Sequence, residues 1–211
     1  MKQKMNEFSV ALGLFDYINP IFYSITTITI LKNIVVNASK INYYCYLIGG
    51  IISIIFGLLI PTVKFIVGLG IMKFKMPVHL VFSVNTGILI SGLALFVYVL
   101  KINFIVAFII FLVILGLLIK IYSKTKKFNT IAVLAGTCGY VLIYISLIIL
   151  AISLHKILNV ILYMIAIILF VYLCLVGIKS DLSKPKVHWA IEIANVLCQG
   201  LVALSTVLLI K

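Results

Sequence analysis

Seven runs of mostly apolar residues divide this chain, and they constrain its fold more than any other feature. They cover 8–31, 43–63, 77–100, 102–119, 131–153, 157–178 and 188–210. A helix needs about 20 such residues to cross the hydrocarbon core of a bilayer. Inside lipid, backbone N–H and C=O groups have no water to bond, so each run must satisfy them internally as a helix. The runs are continuous rather than alternating, which excludes a membrane barrel. The expected fold class is therefore all-α: a polytopic integral membrane protein of about seven transmembrane helices, in one membrane domain over 1–211. Composition agrees, with 65% apolar and 10% charged residues among 211, against about 25% charged in ordinary soluble domains. A soluble globule of this size needs a far more wettable surface, so soluble enzymes are excluded. Four cysteines, none in a CxxC pair, exclude a disulfide scaffold and read as packing residues. They do not cluster as zinc ligands do, and no metal or cofactor is expected. The first run contains Asp16, Asn19 and Pro20 and no small-residue cleavage site, so it reads as a spanning helix rather than a cleaved leader.

The charge is lopsided: 17 basic residues, all lysine, against four acids. The lysines are scattered between apolar runs, and the aromatics lie inside the runs. No stacking groove for nucleic acid results, and none is expected as a partner. The lysines instead report topology. Lys2, Lys4, Lys64, Lys73, Lys75, Lys120, Lys124, Lys126, Lys127, Lys179, Lys184 and Lys186 fall on one side of the membrane. Lys32, Lys40, Lys101, Lys156 and Lys211 fall on the other. The lysine-rich side is expected to be cytoplasmic, which puts the N-terminus inside, and the cell membrane is the expected location.

Polar groups inside spans are expensive and are functional candidates by default. Asp16 and Glu192 are two of the four acids, and both lie inside apolar runs. His188, Glu192, Asn195 and Gln199 recur at i, i+4, i+7 and i+11, one stripe of the last helix. The first helix places Asp16 and Asn19 on one face, beside Pro20, which removes a backbone bond. The third carries His79 and Asn85, with Ser83 and Thr86 able to bond their own backbone. All these helices start on the lysine-rich side, which puts the candidates in the cytoplasmic half. The expected site lies between the first, third and seventh helices and comprises Asp16, Asn19, His79, Asn85, His188, Glu192, Asn195 and Gln199. Interhelical hydrogen bonding, worth about 0.6–2 kcal/mol per bond, accounts for such a stripe without a ligand. In the fifth helix Ala132, Ala135, Gly136 and Gly139 have the spacing of a close helix contact. The fourth helix, nearly devoid of polar groups, reads as a lipid-facing linker.

The first three and last three helices run the same way, so a 3+1+3 parallel arrangement is available, with triplets 8–100 and 131–210 and the linker at 102–119. Val78–His79 and Val187–His188 open the third and seventh helices, each followed by a mid-helix asparagine and a Gly-Leu pair. Asn85 in SVNTG, Asn195 in IANVL, and the prolines Pro20 and Pro61 resemble the SWEET and PQ-loop seven-helix transporters. That resemblance implies an asparagine from each triplet facing a substrate, with the prolines bending the first triplet. It also implies an external N-terminus, opposite to the lysine reading.

Three functions fit these features. The first is a small transporter or facilitator for a polar metabolite, with Glu192 as its charged centre. The second is a membrane-embedded enzyme acting on a lipid or isoprenoid, with His79, His188, Glu192 and Asp16 supplying acid and base. No phosphate loop, nucleophile elbow or carboxylate-rich metal motif accompanies those residues. The third is an accessory or immunity-type membrane subunit. The expected partners are the lipid bilayer, a small-molecule substrate, and a second copy or another membrane subunit.

Overall fold

A computed structural model describes residues 9–72, 78–125, 128–179 and 185–211. Among these residues eight α-helices follow one another: α1 (Val10–Asp16), α2 (Ile18–Asn33), α3 (Lys40–Gly68), α4 (Val78–Val99), α5 (Phe104–Thr125), α6 (Phe128–Ser153), α7 (Ile157–Lys179) and α8 (Pro185–Ile210). Among the described residues, six helical stretches are long and apolar enough to cross a membrane, with α1 and α2 together forming the first. The remaining expected span, 102–119, corresponds to the 22-residue helix α5. The polytopic all-α class is thus what the apolar runs build, and their outer faces remain apolar. Ile105, Ile109, Val113, Ile168, Val171 and Leu197 are among the large side chains left exposed for lipid.

Two differences from the sequence expectation bear on the site. The first span is interrupted at Tyr17. Pro20 has no N–H to return to the carbonyl of Asp16, four residues back, so the helical ladder fails there. Tyr17 stays in the right-handed region (φ −63°, ψ −21°), so the bonding breaks while the direction continues. The second span runs on to Gly68 and carries Lys64 inside it. Lys64 is therefore a buried helical residue and not part of a loop.

Small residues set how closely the spans approach. A Cβ on Gly49 would lie 2.6 Å from the Gly87 carbonyl oxygen, and one on Gly13 would lie 2.7 Å from the Phe65 amide nitrogen. The α3–α4 and α1–α3 contacts are therefore backbone against backbone, the arrangement available where no hydrophobic force separates helix from lipid. The Ala132–Gly139 face of α6 packs on α4, where a Cβ on Gly139 would meet the Leu89 amide at 2.6 Å. Polar groups tie the other end of the bundle. Asn159 Nδ2 donates to the Ser205 carbonyl at 2.5 Å, and the hydroxyls of Tyr163 and Thr206 lie 3.1 Å apart. Helix α5 sits at the edge, where Leu118 packs in a small cluster with Leu89 and Ala135.

Candidate functional site

The site is built where α1 ends, α3 approaches its last turn and α8 completes its second turn. The close approach of α1 to α3 through Gly13 brings Asp16 next to Lys64. The ammonium Nζ of Lys64 lies 2.7 Å from Asp16 Oδ2 and 2.6 Å from Glu192 Oε1. Asn19, one turn beyond Asp16, donates through Nδ2 to Asp16 Oδ1 at 3.1 Å and to Glu192 Oε2 at 3.0 Å. One lysine and one amide thus bridge two carboxylates from different spans. All four residues are buried: Asp16 is 6% exposed, Asn19 8%, Lys64 9% and Glu192 6%. Removing these charges from water is costly, and mutual pairing and hydrogen bonds compensate it. Around the cluster, the Phe15 and Trp189 rings meet at 5.6 Å, and the Tyr17 hydroxyl bonds Thr62 at 2.6 Å.

A cavity of about 220 Å³ opens from this cluster into the bundle. Glu192, Asn195 and Gln199 line it from α8, and Asp16, Asn19 and Tyr23 line it from the first span. Ser53, Gly57 and Lys64 line it from α3, Val84 and Ile88 from α4, and Tyr140 from α6. Two prolines, Pro20 and Pro61, stand in the wall. Each withholds a helical N–H, from the Asp16 and Gly57 carbonyls respectively, so backbone acceptors are freed at the cavity edge. Deeper in, Tyr23 and Tyr140 meet edge to face at 6.4 Å, and the Tyr23 hydroxyl lies 3.1 Å from Ser91 Oγ. Beyond them a void of about 10 Å³, bounded by Tyr46 and Tyr144, has room for about one water.

The eight expected residues divide accordingly. Asp16, Asn19, Glu192, Asn195 and Gln199 gather around the cavity. Asn85 is half-buried on α4 and turns its amide against Gly136 of α6. His79 is exposed at the start of α4, away from the cavity. His188 is in the first turn of α8, and its side chain lies outside the described residues. The third span therefore supplies apolar wall, and the charge opposite Asp16 and Glu192 comes from the second. Lys64 was missed because a lysine after Pro61 reads as the end of a helix. A signal did exist: Lys64 is followed by Phe65, Ile66 and Val67, and two buried acids require a cation.

Among the described residues, no group of three or more His, Cys, Asp or Glu side chains is placed to hold a metal ion. The fold defines a polytopic helical membrane protein with a charged cluster inside its bundle. No protein-family model, curated protein or solved structure matches the chain.

Proposed function

We propose that this protein is a small membrane carrier or facilitator for a polar metabolite. The observation that carries this reading is the Asp16–Lys64–Glu192 cluster, buried with Asn19 and facing a cavity among the spans. Interhelical hydrogen bonding alone needs no cavity, and here Asn195 and Gln199 line one. Ionisable groups that face a bundle cavity mark substrate and ion pathways. The helical bonding also breaks at Tyr17, beside the cluster, which frees a backbone acceptor at the cavity edge. The enzyme reading is weaker, because exposed His79 stands apart from the carboxylates it was expected to serve. We read α5, at the edge of the bundle, as the linker of a 3+1+3 arrangement.

Uptake into proteoliposomes tests the reading. Glu192→Gln is expected to lower the rate by about tenfold or more, the equivalent of about 1.4 kcal/mol. Asn195→Ala is expected to have a smaller effect in the same direction. Wild-type uptake in both variants would remove the cavity from the mechanism.

The proposed orientation places the N-terminus in the cytoplasm. Without Lys64, the lysine asymmetry still favours that side. In cells, a membrane-impermeant maleimide is expected to label Ser39→Cys from outside and to leave Lys124→Cys untouched until the membrane is opened. The opposite pattern inverts the topology.

A further inference from the structure

Among the described residues, the charged groups lining the cavity are two carboxylates and one ammonium, Asp16 and Glu192 against Lys64. With all three ionised, the cluster carries one uncompensated negative charge. The orientation of the Asn19 amide is fixed by its neighbours, because a carboxylate oxygen accepts and cannot donate. Both Nδ2 hydrogens therefore go to Asp16 and Glu192, and Oδ1 is the free end. That oxygen is buried without a hydrogen-bond partner among the described residues, on a side chain that is 8% exposed and lines the cavity. A buried acceptor left unpaired is costly and calls for a donor.

We propose that the ligand of this cavity is a small monovalent primary ammonium, held by Asn19 Oδ1 together with the Asp16 and Glu192 carboxylates. The proposal deepens the carrier reading and rests on the same site. The cluster already binds one group of this chemistry, since the Lys64 side chain is a tethered alkylammonium at 2.7 and 2.6 Å from its two acceptors. A second ammonium brings the count to two positive charges against two negative ones. Its N–H groups supply the donor that Asn19 Oδ1 lacks. Tyr23 and Tyr140 are also in the wall. An anion meets the opposite field. A volume of about 220 Å³ lies below the range typical of drug-sized ligands and favours a small guest.

The test measures the thermal midpoint of the purified full chain in detergent against propylammonium chloride. Tetramethylammonium chloride, sodium chloride, potassium chloride and sodium propionate serve as probes at equal ionic strength. A saturable rise with propylammonium, absent with the other four, is expected. Asn19→Ala is expected to weaken the apparent affinity by about tenfold. Glu192→Gln, which keeps shape and removes the excess charge, is expected to abolish the response, and it serves where Asn19→Ala does not fold. An equal rise with tetramethylammonium, sodium or potassium ions, a rise with propionate, or no rise at all overturns the proposal. So does an unchanged response in Glu192→Gln. Binding in detergent separates this inference from transport. Propylammonium binding without uptake of radiolabelled methylammonium leaves the inference standing and removes the carrier reading. Glu192-dependent uptake of a neutral or anionic solute does the reverse.

Discussion

Replacing Lys64 with Met is expected to be the most damaging single change in the cluster, costing about 3–5 kcal/mol of stability. The substitution keeps most of the side-chain volume and removes the cation that bridges Asp16 and Glu192. Two buried carboxylates then face each other with only Asn19 between them. Asp16→Asn is expected to cost less, because Lys64 keeps Glu192 and the excess charge disappears. The triple variant Asp16→Asn, Lys64→Met, Glu192→Gln is expected to recover much of the loss, since a buried ion set replaced by neutral groups of similar volume is often tolerated. Thermal unfolding in detergent checks the order. A Lys64→Met variant as stable as the exposed-site control Lys156→Met refutes the burial argument.

The second large effect is expected at Gly13, where Gly13→Val should destabilise the bundle by about 1–3 kcal/mol through overpacking. A side chain there meets main chain, the Phe65 amide nitrogen at 2.7 Å and Cα at 2.8 Å, and main chain cannot rotate away. The helices must separate instead. Asp16 is one turn from Gly13, and Lys64 adjoins Phe65, so the same displacement stretches the 2.7 Å ion pair. Uptake is expected to fall further than the loss of stability alone explains. Gly116→Ala is the control, because nothing lies within 4 Å of its added carbon. Uptake unchanged in Gly13→Val would mean that the α1–α3 contact does not position the site.

The long apolar runs were legible because the bilayer imposes one requirement on all of them, a self-satisfied backbone of fixed length. The polar stripe of α8 was legible for a related reason. Helical spacing alone puts Glu192, Asn195 and Gln199 on one side, and all three line the cavity. Which neighbour a side chain meets is a property of the assembled bundle, and there the reading ran out. Asn85 has the same credentials as Asn195, yet its stripe packs on Gly136. Lys64 looked like a loop lysine because its hydropathy is fixed, while its tolerance of burial depends on acids 48 residues before it and 128 after it. The break at Tyr17 follows from Pro20, three residues on, so the proline marked the disturbance without marking its place.

The order of the three charges along the chain has a consequence for biogenesis. Asp16 and Lys64 belong to the first two spans and form a neutral pair, so an early hairpin of α1–α2 with α3 can enter lipid without a net charge. Glu192 belongs to α8, 128 residues after Lys64, so it leaves the ribosome later than that hairpin. Its arrival adds the uncompensated charge only after the helices that shield it are in place. A bundle that has not yet taken up α8 is therefore electrically neutral at this position, and the charged centre forms only when α8 packs against the first two spans.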